Sequence, residues 1–172
     1  MAGGGRGDEE GPKRGGHVGP NPTDRAKGGV KHSLLVEGHG RPLSAVVAGA
    51  NVPDDQLLEA TIEAMVLERP EPEPDWQQHL ALDAGYDTPT GWETCIDRDY
   101  YPHIAPRRPG DRPPQPDPPY PARRWVVERA HSWLVSWRGI LVRWEKKPEN
   151  YLGLIELACA LLWFRYYLTL TP

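Results

Sequence analysis

Two carboxylates in this chain stand where a divalent cation could be held. Asp83 closes the short apolar run His79-Leu80-Ala81-Leu82 and is followed by Ala84-Gly85-Tyr86-Asp87. Glu128 lies inside Arg123-Arg124-Trp125-Val126-Val127-Glu128-Arg129-Ala130-His131-Ser132-Trp133-Leu134, a segment with helical periodicity. A carboxylate at a strand end and a second on a later helix suit phosphoryl transfer. That chemistry uses two divalent cations about 3.5–4 Å apart, one on the nucleophile and one on the leaving oxygen. Hard cations such as magnesium take oxygen ligands, which carboxylates supply. Each acid also has a plainer reading. An Asp ahead of a glycine is most often a turn former. A Glu with Arg124 four residues before it and Ser132 four after is most often a surface pair. Trp125, Trp133 and Trp137 form a neighbouring stripe expected to face the core. The histidines have no metal-ligand spacing, and Cys95 and Cys159 give neither a zinc pattern nor a disulfide framework.

The elements that would position these acids read as mixed α/β. Residues 31–36 form a strand, 37–40 a hairpin turn and 42–48 the partner strand. A helix capped by Asp54 or Asp55 runs to about residue 67. Residues 70–74 make a loop, 79–82 a strand, 90–98 a helix and 101–105 a strand. Residues 106–121 hold eight prolines and must be extended. A helix covers 122–137, residues 140–144 continue it or form a short strand, and a last helix spans 149–168. That helix is apolar enough to raise the question of a membrane span. Glu156 and Arg165 inside it favour a core helix and no membrane role. The first 29 residues hold ten glycines and too little apolar surface to order themselves.

The chain has 172 residues, 38% of them hydrophobic, and a formal net charge of −4. The charge is unevenly spread. From Asp54 to Asp87 there are ten acids and one base, whereas from Arg123 to Lys147 there are seven bases and two acids. A basic C-terminal half can meet phosphate. Arg124, Arg129, Arg138, Arg143, Lys146 and Lys147 are the candidates for DNA contact. No apolar leader is visible, and the cysteine usage suits a reduced, cytoplasmic setting.

Several segments in one order resemble the DDE transposases of bacterial insertion sequences, in the insertion-sequence-five-type group. Leu82-Asp83-Ala84-Gly85-Tyr86-Asp87 is similar to the family's second-acid segment, with Ala84 where the family has Lys. Arg124-Trp125-Val126-Val127-Glu128-Arg129, with Trp133-Leu134, is similar to its third-acid helix. Val18-Gly19-Pro20-Asn21-Pro22-Thr23-Asp24-Arg25 and Lys31-His32 resemble the entry to its second strand. Leu35 to Leu43 resembles the hairpin that follows, and Glu149-Asn150-Tyr151-Leu152 with Leu157 to Leu162 the closing helix. The resemblance covers about residues 18–167. It implies an RNase H-like mixed sheet with flanking helices over 30–172, incomplete at its N-terminus. It also implies Mg2+ or Mn2+ as cofactor, DNA as partner, and Asp83 and Glu128 as catalytic, metal-binding acids. The family's first Asp ends a strand before the Gly-Pro-Asn-Pro loop. Here Asp8 is the only Asp in that region and no apolar strand precedes it. Asp24 belongs to the loop motif.

The expectation is therefore a transposase segment that is inactive alone, completed by an upstream-frame segment or by self-association. The alternative is a non-catalytic DNA-binding or regulatory fragment that associates with full-length transposase. A third reading takes residues 107–121 as a proline-rich ligand for an aromatic groove. Metal-dependent cleavage separates the first from the others.

Overall fold

The structure, a computed structural model, describes residues 15–22, 28–71, 77–108 and 125–170. Arg124, Asp8, Asp24 and most of the proline-rich loop lie outside these. The elements in order are β1 (Gly19–Pro20), β2 (Gly28–Val36), β3 (Pro42–Gly49), α1 (Asp54–Glu63), β4 (Gln78–Leu82), a 3-10 turn (Ala84–Tyr86), α2 (Pro89–Asp97), β5 (Tyr100–Ile104), α3 (Trp125–Val135), α4 (Arg138–Leu141) and α5 (Pro148–Leu170). Residues 140–144, left open between helix and strand, begin inside the short helix α4 and continue as non-helical chain.

The described strands form two sheets, where a single mixed sheet was expected. β1, β2 and β3 are antiparallel in that order, and β4 pairs with β5 in parallel. The split follows from the connections. A tight turn joins β2 to β3, whereas parallel strands need a longer crossover, here through α2. Among the described residues no ladder joins β2 to β4. The Gly-rich segment expected over 1–29 contributes to the first sheet, since Gly19 and Pro20 pair with Gly29 and Gly28.

Alternation along β2 sends its side chains to two cores. Ser33 and Lys31 face α1: Ser33 meets the Thr61 hydroxyl at 2.7 Å, and the Lys31 ammonium meets Asp54 at 2.8 Å. Leu35 packs with Leu58, Ile62, Leu80, Leu82, Cys95, Tyr100 and Ile104 in a core shared by α1, α2, β4 and β5. On the other face Val30 and Leu34 pack with Val47, Leu134, Ile140, Tyr151, Ile155 and Ala158, under α3, α4 and α5.

Helix α1 stops at Glu63, short of the expected 67, because the chain turns back onto the hairpin: the Val66 amide donates to the Leu43 carbonyl. Helix α5, read as a core helix, is packed in its first half through Tyr151, Ile155 and Ala158. Beyond Leu161 it is mostly exposed, and only 11% of its most apolar window is buried. It is long and apolar enough to cross a membrane by length and composition, but Glu156 and Arg165 would burden such a span.

His32 lies half-buried beside the second core. Its Nε2 donates to the Tyr151 hydroxyl at 2.8 Å, and that hydroxyl donates to the Ile140 carbonyl at 2.6 Å. Burial first, then the charges of His131 and Arg143, push His32 down to about 4. Unfolded, it takes up a proton near 6.5. Between these values the unfolded chain binds more protons, so stability falls as pH drops from 6.5 towards 4. The full swing is on the order of 2–3 kcal/mol. Urea unfolding at pH 7 and pH 5 should show this loss, and His32→Gln should flatten the profile.

Candidate active site

The turn Glu37–Arg41 is the clamp that fixes α3. The Glu37 carboxylate accepts from the His39 amide at 2.9 Å, the Arg41 amide at 3.0 Å and the Arg41 Nε at 2.7 Å. Partial burial pushes Glu37 up, but the hydrogen bonds from Arg41 and His39 win and hold it at about 2. Gly40 has φ +84°, and a Cβ there would lie 3.0 Å from the Val126 carbonyl oxygen and 3.0 Å from Arg129 Nη2. Glycine is therefore needed twice, for the left-handed backbone and for the close approach of α3. Arg129 completes the clamp by donating to the His39 carbonyl.

This close approach decides which side of α3 faces inward. Val126, Ala130 and Leu134 are buried, the last two completely. Trp125, Trp133 and Trp137 remain 54%, 38% and 44% exposed, and Trp144 is 76% exposed. The expectation that the tryptophan stripe faces the core is corrected. The two stripes lie only one residue apart, and a helix docked this tightly on the hairpin has room for Val and Ala and none for indole. Glu128 is exposed on α3. Among the described residues its carboxylate has no hydrogen bond or ion pair.

Asp83 follows β4 in extended backbone (φ −81°, ψ 179°), and its Oδ1 accepts from the Gly85 amide at 2.8 Å. This is the turn chemistry expected of Asp before a short helical turn. Arg107, just after β5, ties the same loop down. Its Nε donates to Ala84 O at 3.1 Å and its Nη2 to Gly85 O at 3.2 Å, and its amide donates to Asp87 Oδ2 at 3.1 Å. The Asp87 Oδ1 also accepts from the Trp92 indole at 3.2 Å. Asp83 is thus exposed on a braced loop.

The fold brings Asp54 close to Asp83. A Cβ on Gly85 would lie 2.9 Å from Asp83 Oδ1 and 3.2 Å from Asp54 Oδ2. Burial, then the charges of Asp54, Asp83 and Asp55, push the Tyr86 phenol up to about 12, against a lowering hydrogen bond with Ser33. Tyr86 is therefore a protonated hydroxyl among three carboxylates. Asp55 is engaged by the Thr88 hydroxyl at 2.8 Å, and Asp54 by Lys31. No described contact joins Asp83 to Glu128. Among the described residues no group of three or more His, Cys, Asp or Glu could hold a metal ion.

Of the basic candidates, Arg138, Lys146 and Lys147 are exposed. Arg143 is turned inward onto the carbonyls of Glu145 at 2.8 Å and Lys146 at 3.4 Å. Arg129 is held by His39 and by two indoles, its guanidinium 4.7 Å from the Trp125 ring centre and 4.9 Å from that of Trp133. Sequence reading missed Asp54, Lys31 and Arg107 as neighbours of Asp83, since only the folded chain joins them. It also missed the stacked pair His79 and His103, whose nitrogens lie 2.6 Å apart across β4 and β5.

The family profile described as "Transposase DDE domain" matches residues 6–163. The chain is 34% identical, over 154 residues, to a Burkholderia cepacia protein described as "Putative transposase for insertion sequence element IS402". The aligned region is 84% of this chain and 67% of that protein. No solved structure matches.

Proposed function

Because the chain belongs to the transposase DDE-domain family, we propose that it serves the metal-dependent cleavage and transfer of DNA strands when an insertion sequence moves. Asp83 and Glu128 are its catalytic and metal-binding acids within a domain of about residues 30–172. The observation that carries this reading is the presentation of the two carboxylates. Asp83 stands exposed on a loop braced by Arg107, and Glu128 stands exposed on a helix clamped by Gly40 and Arg129. Rigid holding of that kind is what in-line phosphoryl transfer asks of a protein.

The donor chemistry suits Mg2+ or Mn2+, since Asp83, Glu128 and Asp54 offer only hard oxygen ligands. Among the described residues their number and placement do not make a complete site. A third carboxylate comes from outside the described residues, on a strand that fills the space between the two sheets. Several features support that placement. A groove of about 660 Å³ is lined on one side by Leu35 to Gly38 and on the other by Gln77 to Leu80. Two residues back along β2 from Leu35, Ser33 lies by Tyr86, beyond the end of β4. β2 and β4 therefore run in opposite directions, and among the described residues β2 beyond Gly29 pairs only with β3 and β4 only with β5, which leaves one edge of each open. A strand entering between them would run antiparallel to β2 and parallel to β4. Its last residue would then fall beside Asp83. Until that strand is supplied, by another segment of the polypeptide or by another chain, the protein binds DNA without cutting it.

Exposed Arg138, Lys146 and Lys147 neutralise DNA phosphates, and Arg143 supports the segment that carries them. Removing one such cation should reduce the slope of log affinity against log salt by about 0.9. The triple change to alanine should therefore flatten the slope by roughly 2–3 in fluorescence anisotropy with duplex DNA. An unchanged slope would reduce this surface to a solvated face. The same basic surface favours the second reading, a regulatory DNA-binding fragment. That reading predicts the same salt slope but no cleavage under any condition.

A further inference from the structure

We propose that His79 and His103 form a binding site for a late first-row divalent cation, Zn2+, Ni2+ or Cu2+, that pins β4 to β5 on the outer face of the second sheet. The site is separate from the carboxylates of Asp83 and Glu128 and does not rest on the DNA-processing reading.

The register of the parallel strands builds the pair. His79 lies beside Tyr101 and Ala81 beside His103, so the two histidines are diagonal neighbours on one face. Leu80 and Leu82 on β4, with Tyr100, Pro102 and Ile104 on β5, point the other way and are buried. His79 is left exposed and His103 half-exposed. The two rings are nearly parallel, tilted by 12°, with centres 4.9 Å apart. His79 Nδ1 and His103 Nε2 are only 2.6 Å apart, so these nitrogens face each other between the rings. Tyr101 flanks both, its ring centre 5.3 Å from that of His79 and 5.0 Å from that of His103.

Two imidazole nitrogens this close hold one proton between them, and a cation can take the place of that proton. Imidazole suits Zn2+, Ni2+ and Cu2+, whereas Mg2+ takes oxygen. Tetrahedral Zn2+, with bonds of about 2.0–2.1 Å, sets two ligand nitrogens about 3.4 Å apart. Rotation of two surface side chains supplies that opening and leaves the strands in place. Among the described residues no third His, Cys, Asp or Glu completes the set, so water fills the remaining positions. β4 leads directly into Asp83, and β5 leads towards Arg107, which braces the Asp83 loop. The ion therefore ties together the two strands that carry that loop.

The test titrates the full chain with Zn2+ by calorimetry, with excess Mg2+ present to occupy any site that takes hard cations. His79→Gln and His103→Gln should each weaken the tightest Zn2+ binding at least about 10-fold, the least that loss of even a supporting residue costs at a metal site. His39→Gln, at the exposed histidine beside Glu37, should leave it unchanged. Cu2+ should bind more tightly than Zn2+. At one equivalent its electron paramagnetic resonance spectrum should carry couplings from two imidazole nitrogens in wild type and from one in either variant. With free Zn2+ at about 100 times its dissociation constant, the folded-to-unfolded ratio in urea should rise about 100-fold in wild type and far less in His79→Gln. Zn2+ affinity that survives either change at the pair, or that is lost with His39→Gln, overturns the site. A wild-type Cu2+ spectrum without two imidazoles overturns it as well, and that measurement decides even where a variant fails to fold. Either result would leave His79 and His103 as a hydrogen-bonded contact across the strands.

Discussion

In a cleavage-competent form of the protein, with the chain extended upstream through a strand that ends in Asp, Asp83→Asn and Glu128→Gln should each lower magnesium-dependent cleavage of element-end DNA by at least about 10³-fold. That corresponds to roughly 4 kcal/mol of transition-state stabilisation. Asn keeps the Oδ1 that accepts from the Gly85 amide, so the turn and the melting temperature should be unchanged and the loss can be assigned to chemistry. Asp54→Asn should cost far less cleavage, because Asp54 is committed to Lys31. The chain without the extension should bind DNA and leave it uncut. Robust cleavage by the unextended chain, abolished by Asp83→Asn, would place the third acid within it. Asp54, beside Asp83, and Asp24 would then be the candidates.

Leu134→Ala should be the most destabilising single truncation in α3. Leu134 is fully buried where α3, α4, α5 and β3 meet, against Val47, Ile140, Tyr151 and Ile155. Removing its isobutyl group leaves a cavity that four separate elements cannot close, at about 3–4 kcal/mol. The adjacent Trp133→Ala should cost less than about 1 kcal/mol despite the larger side chain, since Trp133 is 38% exposed. Urea unfolding of the two variants reads the difference. A larger loss for Trp133 than for Leu134 would mean that α3 is rotated from the orientation described here.

The hairpin was legible because its signals are local. Lys31 to Val36 and the apolar run after Pro42 flank Glu37-Gly38-His39-Gly40, and the turn forms there with Gly40 in the left-handed region. Asp83 was legible as a turn residue at a strand end for the same reason. The resemblance carried by the segments around Asp83 and Glu128 agrees with the family to which the chain belongs. The orientation of α3 was not legible. Its two apolar stripes are one residue apart, and periodicity does not choose between Trp125-Trp133 and Val126-Ala130-Leu134. Clearance at Gly40 chooses, and that is a tertiary fact. Nor could spacing reveal Asp54 beside Asp83, since Asp54 reaches it only after α1 has packed on β2. The division into two sheets was hidden for the same reason: strand order is set by pairing partners far apart in sequence.

The central claim is that Asp83 and Glu128 face one pair of cations. Iron-directed backbone cleavage tests it most directly: Fe2+ replaces Mg2+ in the cleavage-competent protein, and peroxide with ascorbate cuts the chain close to the bound ion. Cuts should cluster in two segments, around residues 82–86 and 126–130. Both clusters should fade together when Mg2+ is added and when Asp83 is changed to Asn. Cuts confined to one of the two segments, or a cluster at 126–130 that Asp83→Asn leaves untouched, would contradict it.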